Sequence, residues 1–125
     1  MGRELPVVLF EDTRAWSEWL VLNHATSPGV WLRIAKKNTA LRSLTYAEAL
    51  DEALCHGWID GQKQSYDESS WLQKFTRRGP RSIWSKINRE RVEMLIAARR
   101  MKDAGLAAVA AAEHLGDLRV AELGQ

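Results

Sequence analysis

The sequence predicts an α+β fold, a small mixed or antiparallel sheet of about four strands with helices packed on it. Three observations carry the prediction. Candidate elements follow in the order strand, helix, strand, helix, strand, strand, helix, helix, so helices separate the early strands and a hairpin closes the sheet. The stretch from Gly29 to Lys37 alternates with strand periodicity: Val30, Leu32 and Ile34 face one way, Trp31, Arg33 and Ala35 the other. Thr45-Tyr46-Ala47-Glu48 is a capping box, with Thr and Glu at the required three-residue offset before an apolar run. A doubly wound α/β fold is disfavoured, because strands are few and no Gly-rich phosphate loop follows the first one.

Each element has its own local reason. Pro6 to Phe10 is a short apolar run and reads as a strand. Asp12 or Thr13 caps the next helix, in which Trp16, Trp19 and Leu20 share one face at i, i+3 and i+4. Thr26-Ser27-Pro28-Gly29 breaks it. The helix after the capping box presents Tyr46, Ala49, Leu50, Ala53 and Leu54, and Gly57 suits a left-handed C-terminal cap. Residues 58–66 and 70–76 read as a hairpin around Asp67-Glu68-Ser69, and Gly79-Pro80 ends it. A helix from Ser82 to Met101 follows, with Trp84, Ile87, Met94, Leu95, Ala98 and Met101 on its apolar side and Gly105 as its stop. The alanine-rich stretch from Leu106 to Gln125 reads as helical. Trp16, Trp31, Leu50, Leu54, Trp84 and Leu95 are expected in the core.

A chain of 125 residues makes one domain, 1–125, and can bury a core without staples. Its single cysteine, Cys55, excludes an intrachain disulfide and fits a reducing compartment. No secretory signal and no apolar run of membrane-spanning length is present, so a cytoplasmic location is expected. The formal net charge of +2 is unevenly spread. Residues 77–102 hold nine Lys and Arg against Glu90 and Glu93, a net +7, which leaves −5 for the rest. Such an excess attracts an anion or a nucleic-acid backbone, although a solvated helix face gives the same pattern.

Chemistry-bearing residues gather at two junctions. Cys55-His56-Gly57-Trp58-Ile59-Asp60-Gly61 carries a helix end straight into a strand. His56 and Asp60 make an acid–base pair if they meet, and a helix-end cap plus a turn residue if they do not. Cys55 beside His56 suggests a thiolate, but neighbours on a helix point about 100° apart, and a lone cysteine is ordinarily a small buried hydrophobe. The three histidines show no metal-ligand spacing. No cofactor motif is present. At the second junction Arg77, Arg78 and Arg81 lead into Ser82, Trp84, Ser85 and Asn88, where a helix N-terminus offers free amides to an anion or to its own cap. Of the six tryptophans, Trp16, Trp19 and Trp84 lie on apolar helix faces, whereas Trp31, Trp58 and Trp71 lie on strands with one side open to solvent. The hairpin returns Arg77-Arg78 towards the 56–60 turn. The candidate ligand site is therefore Trp58, Asp60, Arg77, Arg78, Ser82, Trp84, Ser85 and Asn88.

The segments Trp19-Leu20, Asn23-His24, Ser27 to Lys37, Tyr46 to Gly61, Phe75 to Arg78 and Ser82 to Asn88 together resemble the YdeI/OmpD-associated family of bacterial proteins. The likeness spans roughly residues 16–106. The name "bacteriocin-protection" attached to that family implies a link to antimicrobial or envelope stress and no particular reaction. Longer members carry a further helical segment, rich in aromatics and ending in a basic Thr-Arg run, which is not found before Gln125. The expectation is a non-enzymatic module for a small anionic or aromatic ligand, the alternative a nucleic-acid-binding module using residues 77–102.

Overall fold

The computed structural model describes residues 5–79 and 84–114, with side chains to residue 112. Eight elements follow in the predicted order: β1 (Val7–Val8), α1 (Thr13–Asn23), β2 (Val30–Ala35), α2 (Tyr46–Cys55), β3 (Trp58–Ser65), β4 (Ser70–Arg77), α3 (Lys86–Ala97) and α4 (Asp103–His114). The strands form one mixed sheet in the order β1-β2-β4-β3, with β1 parallel to β2 and the other pairs antiparallel. The fold is α+β, as the patterning predicted.

The helices begin where their caps allow. Asp12 accepts from the Ala15 amide at 2.9 Å and starts α1. Thr45 and Glu48 form both bonds of the capping box at α2. In the β3–β4 turn the Asp67 carboxylate accepts from the amides of Ser69 and Ser70 and from both hydroxyls. The Ser70 hydroxyl above all, with those amides, holds it below the usual carboxylate range.

One face of the sheet carries the core. Val30, Leu32 and Ile34 of β2 and Phe75 of β4 are buried against Trp16 and Leu20 of α1 and Ala49, Leu50, Ala53 and Leu54 of α2. Trp16 stands 5.5–6.3 Å, ring to ring, from Phe10, Trp19, Trp58 and Phe75. Val92, Leu95, Val109 and Ala112 bring α3 and α4 onto the same cluster. A bulge between Asp60 and Lys63 interrupts β3. The buried Gln73 amide fills it, donating to the carbonyls of Gly61 and Gln62 at 2.9 and 3.2 Å.

Several details depart from the sequence reading. The strand expected over Pro6 to Phe10 pairs only at Val7 and Val8. Trp31 is half-buried rather than core, because it faces away from the helices beneath Lys74. The helix expected over Ser82 to Met101 starts at Lys86 with Ser85 as its cap, and it ends at Ala97. Its buried stripe is Asn88, Val92 and Leu95, while Ile87 and Met94 are exposed. The chain leaves α3 through Arg99 at φ 61°, closing a Schellman motif in which Arg100 N–H donates to Leu95 C=O and Arg99 N–H to Ile96 C=O. An arginine here does what a glycine ordinarily does, so no stop signal was written. Gly105 is no stop either, since it lies inside α4.

Gly105 instead makes a backbone contact. A Cβ there would stand 2.2 Å from the Cys55 carbonyl oxygen. Gly57, at φ 79°, would place one 2.9 Å from the Ala104 carbonyl. The end of α2 and the start of α4 are thus pressed backbone to backbone, joined by Lys102 N–H donating to Cys55 C=O at 2.9 Å. Gly105→Ala should lower stability by about 1–3 kcal/mol through overpacking. Gly61→Ala, whose Cβ meets only the Lys74 stem at 3.7 Å, should be close to neutral. Chemical-denaturation midpoints of the two variants provide the comparison, and equal midpoints would show that the two helix ends are not in backbone contact.

Candidate functional site

Along β3, an edge strand of the sheet, charged and aromatic side chains from several elements form a row. Antiparallel pairing puts Trp71 opposite Ser65 and Phe75 opposite Asp60, so Trp71, Lys63 and Asp60 face the helices. Lys63 Nζ lies 5.4 Å from the Trp71 ring centre, and that ring is 6.2 Å from Tyr46 at the first turn of α2. The Tyr46 hydroxyl donates to Asp60 Oδ2 at 2.5 Å. Asp60 acts electrostatically on Arg78, whose guanidinium stacks on Trp84 with its carbon 3.6 Å from the ring centre. Behind the row, Arg91 of α3 donates to Asp51 of α2 at 2.7 Å.

The charges in this row are tuned by burial and by each other. Desolvation and then the bond to Asp60 push the Tyr46 phenol far above its ordinary range, with Arg91 opposing. Burial brings Arg78 down to about 10 against the favourable charge of Asp60, and the guanidinium stays a cation. Space opens at the other end, where Lys63, Gln64, Ser65 and Trp71 line a shallow recess of about 390 Å³.

The predicted site residues divide. Asp60, Arg78 and Trp84 come together, and the Arg78 amide donates to Gly57 C=O, as the returning hairpin required. Ser85 caps α3 by accepting from the Asn88 amide, and Asn88 itself is buried. Trp58 is not an aromatic wall: it is fully buried in the core, with its indole N–H donating to His24 C=O at 3.1 Å. Arg77 turns away to the Ala25 carbonyl. Ser82 lies outside the described residues. Tyr46 and Lys63 were not foreseen as site residues. Only the register of the bulged hairpin against the first turn of α2 joins them to Trp71.

The nucleophile and acid–base pairings read from the first junction do not form. His56 is buried with its ring 5.7 Å from that of His24, while Asp60 serves Tyr46. Among the described residues His56 Nε2 has no hydrogen-bond partner. Burial, with the charges of His24 and Lys102 adding to it, pushes His56 down to about 4. Burial, followed by Glu52, pushes the Cys55 thiol up to about 11. Among the described residues no group of three His, Cys, Asp or Glu could hold a metal ion, and no helix is long and apolar enough to cross a membrane.

The molecule is thus a mixed four-stranded sheet with its helices on one face and a polar-aromatic row along one edge strand. Residues 8–108 match the family described as a domain of unknown function (DUF8412), and the chain belongs to that family. Neither a curated protein nor a solved structure matches it.

The buried imidazole predicts an acid dependence of stability. The unfolded chain takes up a proton near the ordinary histidine value of about 6.5, whereas the folded one refuses it until about 4. Stability should therefore fall as pH drops from about 6.5 towards 4, by on the order of 3 kcal/mol, with no contribution from this group above pH 7. Denaturant midpoints at neutral and mildly acidic pH measure the slope. His56→Leu should flatten it, and an unchanged slope in that variant would show that other groups carry the acid sensitivity.

Proposed function

We propose that this domain is a non-enzymatic binding module for a small anionic aromatic ligand, seated at the Lys63–Trp71 end of the row. The observation that carries the reading is the recess lined by Lys63, Gln64, Ser65 and Trp71. Its volume is at the lower end of small-ligand sites. A planar ring stacks on the Trp71 indole and its negative group pairs with the Lys63 ammonium. Lys63 already lies over that ring, an exposed cation–π contact of about 0.5–1 kcal/mol, cheap to exchange for a full ion pair. Asp60, Arg78 and Trp84 form the closed end. There the guanidinium is already stacked, so an incoming anion gains little.

A binding role is supported by the state of the reactive groups. Cys55 is held as a thiol, the Tyr46 phenol is held protonated, and His56 faces another histidine. The likeness to the YdeI/OmpD-associated proteins supports a place for such binding in antimicrobial or envelope stress. The alternative, nucleic-acid binding by residues 77–102, is less well supported. Arg77, Arg89, Arg91 and Arg100 reach Ala25 C=O, Trp84 C=O, Asp51 and Glu52, and Arg78 stacks on Trp84. Those five cations have partners within the molecule, two of them carboxylates, so segment 77–102 presents less unpaired charge than its composition suggests.

Titration with a panel of aromatic carboxylates and nucleoside monophosphates, followed by amide chemical shifts, tests the reading. Shifts should gather on residues 63–65 and 71, and Trp71→Ala or Lys63→Gln should each weaken binding about tenfold, near 1.4 kcal/mol. Shifts confined to residues 84–88, or affinities equal in wild type and both variants, would overturn it.

A further inference from the structure

We propose that the face of the sheet turned away from the helices binds single-stranded nucleic acid. This goes beyond the recess, whose Lys63 and Trp71 lie on the helix-facing side, and it uses different residues from the basic helix segment.

Strand register defines the face. Val7 of β1, Trp31 of β2 and Lys74 of β4 are mutual partners across the sheet and form one row. Arg33 of β2 and Leu72 of β4 form the next, about 7 Å further along the strands. These residues alternate with Val30, Leu32, Ile34, Gln73 and Phe75, which face the helices, so they point the other way. Burial agrees. Trp31 and Leu72 stand outside the core cluster to which all four helices contribute, although Leu72 itself is buried.

Two features of this face suit an unpaired strand. Aromatic rings are presented beside cations: Lys74 Nζ is 5.8 Å from the Trp31 ring centre, and the Arg33 guanidinium is 5.2 Å from that of Tyr66. The four strands place no carboxylate on the face. Their single acid, Asp60, is turned to Tyr46 on the helix side, and the nearest in the adjoining turn, Asp67, is bonded to Arg33. Base-on-ring stacking contributes more per base than an exposed cation–π contact does. A base can therefore replace Lys74 on Trp31, and the displaced ammonium becomes available to the adjacent phosphate. Stacking of this kind needs bases free of a duplex, which excludes double strands.

The experiment is fluorescence anisotropy of the full chain with a labelled oligothymidylate of about a dozen nucleotides at low salt, the length scale of single-strand sites. Binding should be salt-dependent and about tenfold or more tighter than to the same length of duplex. Trp31→Ala and Lys74→Gln should each weaken it about tenfold, while Trp31→Phe should retain most of it. Lys86→Gln, Lys102→Gln and Trp71→Ala should leave it unchanged, which separates this face from the basic helix and from the recess. Should Trp31→Ala fail to fold, Lys74→Gln and Trp31→Phe still decide. Absence of binding at low salt, loss on the helix lysines instead of the sheet residues, or no preference over duplex would each overturn the proposal. So would tighter association with phosphatidylserine vesicles that has the same dependence on Trp31, which would make the face a membrane surface.

Discussion

The indole of Trp16 is the contact on which the rest of the structure depends. It sits at the crossing of α1, α2 and the sheet, and its N–H donates to Ala49 C=O at 3.0 Å. Trp58 does the same for the other end, with its N–H on His24 C=O. An aromatic of this size supplies much apolar area, but its donor must find an acceptor once buried. Here one acceptor lies within α2 and the other at the C-terminal cap of α1, so Trp16 fixes α1 against α2 and Trp58 fixes the end of α1 against β3 while both rings fill the core. The spacing of α2 from β3 follows from this, and with it the reach of Tyr46 to Asp60. The polar row along β3 is thus a consequence of how the core is filled.

The C-terminal half is attached differently. Small residues let backbone meet backbone: Gly57 and Gly105 allow the ends of α2 and α4 to approach where any Cβ would collide with a carbonyl. Cys55 and His56 are sealed beneath that contact, which accounts for the raised thiol and the depressed imidazole. Adjacent residues with textual signs of chemistry have become structural chiefly through burial, which at Cys55 outweighs the opposing charges of Arg100 and Lys102.

What the sequence made legible was local. The capping box at Thr45, the cap at Asp12, the alternation of β2 and the hairpin around Asp67 each rest on residues within a few positions, and each is present in the structure. Two features escaped because competing patterns were written in the same residues. In α3 the apolar Ile87 and Met94 outweigh Asn88 by composition, yet the helix buries Asn88 with Val92 and Leu95. An Arg in the left-handed position at 99 hid the end of that helix, since side-chain type alone favours Gly there. The candidate site was half legible for a related reason. The return of the hairpin to residues 56–60 follows from strand pairing and was anticipated, but which side each residue faces depends on the bulge between Asp60 and Lys63. A one-residue irregularity reverses facing beyond it, and nothing local to Lys63 announces its place beside Trp71.

Charge accounting separates the two kinds of cation in this molecule. Arg77, Arg78, Arg89, Arg91 and Arg100 direct their planar forks at carbonyls, carboxylates and one indole face. Arginine tolerates such partial burial because its charge is delocalised and weakly hydrated. The lysines at 63 and 74 stand on the sheet, each over a tryptophan, with ammonium groups that gain little from staying there. Density of basic residues along the chain therefore overstates the charge that lacks an internal partner there. The groups that can change partner at small cost are the two lysines on either side of the sheet, and the partners they would leave are aromatic rings able to hold a flat ligand in their stead.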